Sequence, residues 1–315
     1  MFASTIRLEK EMPLTPVIQT KALSKSYGAK LALNAVDLDI EAGGIIAILG
    51  RNGAGKTTLI HSLLGLVRAK SGSARVFSRR PGHALNRQAT GVMLQDADLP
   101  ESLTTREHAA LYAEYYDRAL DFETLSQLCE LGEFEDRLYR KLSGGQKRRA
   151  QFAMAVIGQP ELLFLDEPTT GLDPEARRAI WRVVRALAER GTTIILTTHY
   201  LEEADRLADR IIVMDGGQIK ADAAADDIRS TVGGAVIRCV TTLDEAQRNA
   251  LPGVEWSRQS GRLMEMLTRQ TTDTLRALLD ADPALEDLTV SRPSLEDIFL
   301  DLTERPELAA QGDAL

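Results

Sequence analysis

The chain is short of the features that mark secreted, membrane-spanning or nucleic-acid-coating proteins. Its two cysteines, Cys129 and Cys239, stand far apart with no metal-type spacing. That excludes a disulfide framework and suits a reducing compartment with buried or inert thiols. The longest apolar runs, such as Ile45 to Leu49 and Leu162 to Leu165, fall far below the ~18 residues needed to span a bilayer. Residues 1–16 carry Glu9, Lys10 and Glu11 where a secretion signal needs an apolar centre. They are expected to form a flexible arm, and Met12 is a candidate true start. Positive charge is not in excess, because 38 Lys and Arg against 46 Asp and Glu leave a net charge of -8. This counts against a nucleic-acid partner and against attraction to an anionic membrane face. At 315 residues the chain has room for one large domain and one small one, each with its own core.

What is present begins with Gly50-Arg51-Asn52-Gly53-Ala54-Gly55-Lys56-Thr57-Thr58, preceded by the apolar run Ile45 to Leu49 and followed by Leu59, Ile60, Leu63 and Leu64 at helical spacing. Strand, glycine-rich turn and helix, with G-x-x-x-x-G-K-T between them, predict a phosphate-binding loop. Gly50, Gly53 and Gly55 let the backbone N–H groups of Asn52, Ala54 and their neighbours turn inward at a helix N-terminus, a cradle for a triphosphate such as ATP. Lys56 supplies an ammonium for the terminal phosphates, Thr57 a hydroxyl for Mg²⁺, and Thr58 a further donor.

The chain downstream places chemistry at strand ends. Gln95 closes the apolar stretch Ala89 to Leu94, and its amide oxygen is a candidate ligand for Mg²⁺ or water. Leu66 to Val76, which contains Ser71-Gly72-Ser73, reads as turn then strand. Residues 97–158 then read as a helical insert, with a capped start at Thr104 to Glu107 and helical spacing through Leu111, Tyr115, Leu125, Leu128 and Leu131. Leu142-Ser143-Gly144-Gly145-Gln146 opens a helix and is either an anion nest or a plain cap. Leu162 to Leu165 reads as a buried parallel strand ending in Asp166 and Glu167. Two carboxylates there are costly to bury unless they hold a cation or handle a proton, so Asp166 is the Mg²⁺ partner and Glu167 the residue that polarises an attacking water. Asp173 and Pro174 begin a helix with an apolar stripe of Ile180, Val183, Val184 and Leu187. His199 ends the β-branched run Thr192 to Thr198, either as a structural residue or as a catalytic one. Tyr27, in a turn upstream, is either a core-facing ring or a stacking platform for adenine.

In this order, over roughly residues 17–230, these motifs resemble the nucleotide-binding subunits of ATP-binding-cassette (ABC) transporters, and Ser294-Leu295-Glu296-Asp297-Ile298-Phe299 looks like the C-terminal text of such subunits in drug-resistance exporters. The resemblance implies an α/β fold. Its phosphate-loop NTPase core is RecA-like, with an N-terminal antiparallel β subdomain and the helical insert. It also implies an ATPase that works as a head-to-tail homodimer. Ser143, Gly144, Gly145 and Gln146 of one copy close over ATP held by the other, Asp173 lies at the dimer seam, His199 contacts the terminal phosphate, and Tyr27 stacks on adenine. With no spanning segment of its own, such a subunit needs a separate permease. It is expected on the cytoplasmic face of the membrane, driving export of a drug-like, lipid or polysaccharide substrate. The alternative is a soluble ABC ATPase serving as an assembly scaffold or acting on nucleic acid or ribosomes.

Ala221 to Ser230 reads as a linker helix. Beyond it, residues 231–305 alternate as β-α-β-β-α-β, a small ferredoxin-like α+β domain, with a final helix Ser294 to Thr303 carrying Leu295, Ile298, Phe299 and Leu302 on one face. Residues 306–315 read as a frayed tail.

Overall fold

A computed structural model describes residues 16–227 and 234–291, which fall into two units: residues 16–197 with 214–219, and residues 198–213 with 220–227 and 234–291. The first fifteen residues, the expected final helix from Ser294 and the 306–315 tail lie outside the described residues.

The first unit opens with a hairpin of β1 (Ile18–Tyr27) and β2 (Lys30–Ile40), and β4 (Ser71–Val76) pairs with the other side of β1, all antiparallel. Ser71, Gly72 and Ser73 therefore lie inside a strand and not in the expected turn; Ser73 faces Lys21 and Ser71 faces Ser24 across a register shift in β1. Pairing outweighs the turn preference of these residues because β1 presents an open ladder of backbone groups there.

A second sheet carries β3 (Ile45–Leu49), β5 (Thr90–Met93), β6 (Leu162–Asp166) and β7 (Thr193–Thr198) in the order β5-β6-β7-β3. β6 is parallel to both neighbours, with Leu163 opposite Gly91 on one side and Ile194 on the other. Every residue of β3 and β6 is buried, as unbroken aliphatic runs require of strands covered on both faces. Parallel strands bring their carboxyl ends to one edge, where ligands of such sheets bind. Gly50, Gln95 and Glu167 each lie within two residues of such an end.

Helices α1 (Lys56–Leu64), α2 (Ala84–Gln88), α3 (Thr105–Ala113), α4 (Phe122–Cys129), α5 (Gly144–Val156) and α6 (Pro174–Glu189) complete this unit. The helical insert is thus not one continuous run. α3 stops at Ala113, and the spacing of Leu111 and Tyr115 does not mark a core stripe, since they are 44% and 66% exposed. The buried side of α3 carries Thr105, His108 and Ala109 instead. The capping box expected at Thr104 and Glu107 is present, and Asp173 caps α6 by accepting from the N–H groups of Glu175 and Ala176 at 3.0 and 2.9 Å.

The second unit contains α7 (Leu201–Leu207) and most of β8 (Arg210–Asp215) and β9 (Gln218–Ala224), strands that turn at Gly216 and Gly217. The expected linker helix begins at residue 225 and not at Ala221, and residues 228–230 lie outside the described residues. The chain continues as β9 through Ala224, held by a forked ion pair from Arg210 to Asp222. The tight Gly-Gly turn feeds the chain directly into pairing, which local Ala and Asp content does not reveal. Beyond residue 233 come β10 (Ala235–Val240), α8 (Glu245–Asn249), β11 (Val254–Ser260), β12 (Leu263–Thr268), α9 (Thr271–Ala281) and β13 (Glu286–Ser291). The strands form an antiparallel sheet in the order β11-β12-β10-β13. Ile237, Cys239, Met264 and Met266 of that sheet form its core with Leu243, Leu251 and Leu278.

Candidate nucleotide site

The glycine loop connects β3 to α1, and its shape follows from what lies behind it. At Gly55, the residue before α1, φ is +109°, and a Cβ would meet the Ala32 carbonyl oxygen at 2.6 Å. Both conformation and space demand glycine there. Gly50 has a different reason. A Cβ would stand 2.5 Å from the Met214 carbonyl oxygen and 2.9 Å from the Ala54 Cβ. Gly50→Ala is accordingly expected to cost about 1–3 kcal/mol by overpacking, seen as a lower denaturation midpoint; an unchanged midpoint would contradict the close approach. The loop is tied to its surroundings by Gly217 N–H donating to the Ala54 carbonyl at 3.0 Å.

Lys56 is buried, and its ammonium folds back to donate to the carbonyls of Gly50 at 2.7 Å and Arg51 at 3.3 Å. Burial pulls its pKa below the ordinary lysine value, while the charges of Glu167 and Asp166 pull it back up. A bound polyanion would add to that second effect.

Thr57 donates its hydroxyl hydrogen bond to Asp166 Oδ2 at 3.0 Å, and Thr197 donates to Asp166 Oδ1. The buried Asp166 carboxylate is thus held from both sides, one partner being the threonine that follows the loop lysine. Glu167, also buried, has φ +51°, a left-handed conformation that costs a non-glycine residue about 1–3 kcal/mol. Its N–H donates to the Thr197 carbonyl at 3.0 Å and to the Thr197 hydroxyl at 3.2 Å, and Thr170 donates to its carboxylate at 3.2 Å. These bonds give the backbone and side chain of Glu167 a set direction.

The structure therefore brings the loop, Lys56, Thr57, Asp166 and Glu167 together. Gln95 is exposed two residues after β5, and its carbonyl accepts from Arg148 at 3.2 Å. Each of the other expected residues has its own local surroundings. Tyr27 is 49% exposed at the end of β1, its ring against the Lys25 ammonium at 5.0 Å and not in the core. Ser143 and Gln146 close a capping box on one another, with Ser143 and Gly144 exposed. Asp173 is exposed at the start of α6. His199 lies two residues past Thr197 in the chain, exposed and with its ring 4.2 Å from that of Tyr200.

Three residues with site contacts escape a reading by motif, Thr170, Thr197 and Arg148. Thr197 is hidden in a β-branched strand. Arg148 had a signal: it stands one helical turn before Phe152 and two before Val156, a cation on a stripe that is otherwise apolar and buried.

The donor set suits a nucleotide with a hard divalent cation. A hydroxyl and a carboxylate side by side at a phosphate cradle are the oxygen ligands that Mg²⁺ takes together with phosphates and water.

The ABC transporter family matches residues 33–170 of the chain. Over 315 aligned residues the chain is 38% identical to the daunorubicin/doxorubicin resistance ATP-binding protein DrrA of Streptomyces peucetius, covering 93% of this chain and 94% of that one. It is also 38% identical over 303 residues to the Nod factor export ATP-binding protein I of Rhizobium leguminosarum bv. viciae, covering 93% and 96%. A solved ATP-binding subunit of an ABC transporter aligns with a TM-score of 0.62 and 29% identity over 68% of this chain and 92% of that one. In fold alone, the dimeric cassette MJ0796 bound to ADP and Pi aligns with a TM-score of 0.61 at 24% identity, over 66% and 98%. The glycine loop, the paired acids and these relatives converge: the chain belongs to the ABC transporter family, among its ATP-binding subunits.

Proposed function

We propose that this chain is the ATP-hydrolysing subunit of an exporter, acting as a homodimer on the cytoplasmic face of a membrane and docked to a separate permease. The observation that carries this reading is the Thr57–Asp166 hydrogen bond at the mouth of the phosphate loop, beside Lys56 and Glu167. The relatives' roles in drug resistance and Nod factor export favour outward transport, of a drug-like, lipid or polysaccharide substrate.

In this proposal the backbone N–H groups of Gly50 to Gly55 and the Thr58 hydroxyl receive the phosphates. Lys56 swings from the carbonyls of Gly50 and Arg51 onto the terminal phosphates. Thr57, Asp166 and Gln95 would hold Mg²⁺, which when bound neutralises charge on the phosphate oxygens. Glu167 takes the proton of a water that attacks the terminal phosphorus in line, and His199 contacts that phosphate. Tyr27, its ring half exposed beside the Lys25 ammonium, stacks on adenine. Ser143 to Gln146 of the second copy cover the nucleotide, with Asp173 at the seam. Ser143 and Gly144 are exposed and so accessible to that second copy.

Residues 17–230 would form the ATPase domain and residues 231–305 an accessory domain. The permease would dock over the insert, near Leu111 and Tyr115, large side chains that are exposed among the described residues. Among the described residues no helix is long and apolar enough to cross a membrane, and in this proposal the permease supplies the membrane attachment. Fractionation tests this. The chain should pellet with membranes only when its permease is co-expressed. Equal pelleting without the permease, or none with it, would contradict the proposal.

A further inference from the structure

Arg148 is a buried cation that the chemistry described above does not use. It stands on the second turn of α5, the helix opened by the Ser143 cap. Burying a guanidinium is tolerable only when each N–H finds an acceptor, and here each does. Nε donates to the Pro168 carbonyl at 3.1 Å, and Nη2 to the carbonyls of Asp166 at 3.1 Å and Glu167 at 2.6 Å. Nη1 donates to the carbonyls of Leu94 at 3.4 Å and Gln95 at 3.2 Å, and to Gln151 Oε1 at 3.0 Å. Gln151, on the same helix, donates to the Ala97 carbonyl at 2.8 Å.

One planar fork thus joins three segments: the helix behind Ser143, the segment that bears Gln95, and the three residues from Asp166 to Pro168. The middle residue of those three is Glu167, held at φ +51°. A left-handed residue needs outside support to stay there, and the shortest of the Arg148 bonds falls on its carbonyl. Lysine could not replace this fork, having three donors at one point and not five in a plane. A shift of the 94–97 segment or of α5 must pull the guanidinium, and with it the backbone that aims Glu167.

We infer that Arg148 is a positioning residue for hydrolysis, setting the direction of the Glu167 carboxylate and linking it to the Gln95 segment and to the helix behind Ser143. This rests on the proposal that Glu167 is the base.

The test is steady-state and single-turnover ATP hydrolysis by the full purified chain, with thermal melting as a control, for wild type, Arg148→Lys, Arg148→Met, Glu167→Gln and Arg148→Met/Glu167→Gln. A displaced base costs up to about 10²-fold, so kcat of Arg148→Met should fall roughly 10- to 100-fold while KM for MgATP stays within about threefold. Arg148→Lys, which keeps the charge but not the fork, should fall between it and wild type. The double variant should be no slower than Glu167→Gln beyond about threefold, because Arg148 acts through Glu167. If Arg148→Met melts below the assay temperature, Arg148→Lys decides.

Wild-type kcat in either folded variant, a change confined to KM, multiplied losses in the double variant, or unfolding of both single variants would each overturn the positioning role. Wild-type hydrolysis by Glu167→Gln would instead remove the assignment of the base, whatever the Arg148 variants do.

Discussion

The Glu167→Gln variant is expected to bind MgATP, to remain dimeric with it, and to release phosphate ~10²- to 10⁴-fold more slowly than wild type, the usual cost of losing a positioned base. The substitution is nearly isosteric. The N–H bonds to Thr197 and the Arg148 bond to the carbonyl are backbone contacts and survive it. Thr170 still finds an amide oxygen where it now meets the carboxylate at 3.2 Å. What disappears is the capacity to accept a proton from water. Phosphate release and size-exclusion chromatography at saturating MgATP check both halves. Hydrolysis at the wild-type rate would assign the base elsewhere, and a slow variant that stays monomeric would remove the closed dimer from the mechanism.

Lys56→Ala should weaken ATP binding by one to two orders of magnitude. Each charge-assisted hydrogen bond to phosphate is worth about 1.5–3 kcal/mol, and about 1.4 kcal/mol is tenfold in affinity. Part of that gain is offset in wild type, because the ammonium must first leave the carbonyls of Gly50 and Arg51. In the alanine variant the Gly50 carbonyl loses the ammonium while the Arg51 carbonyl keeps the Ala54 N–H at 3.1 Å, so some loss of stability should accompany the loss of affinity. Calorimetric titration of ATP into both proteins measures the effect. An unchanged Kd would mean that the ammonium never makes the exchange.

The glycine loop, the acids after an aliphatic strand and the Asp173-Pro174 helix start are local devices. Each works through residues a few positions apart, so spacing alone exposes them. The expectations that fail share one cause. Ser71 to Ser73 look like a turn, and Ala221 to Ala224 look helical. In each case the neighbour across space overrides local preference: β1 for the first and the β8 strand for the second.

Thr197 shows the other kind of blindness. Nothing in Thr193-Ile194-Ile195-Leu196-Thr197-Thr198 distinguishes the hydroxyl that holds Asp166 from its neighbours. Parallel register alone sets Thr197 opposite Asp166.

Residue order was enough to specify a phosphate cradle, a pair of acids, the helix caps and the family, because turn chemistry and charge at a strand end are written within a few residues. Folding settled which carboxylate oxygen each threonine grips, why Gly50 tolerates no side chain, and how one arginine reaches three segments. Those outcomes depend on distances between parts far apart in the chain, and such distances exist only after the sheet and helices have packed.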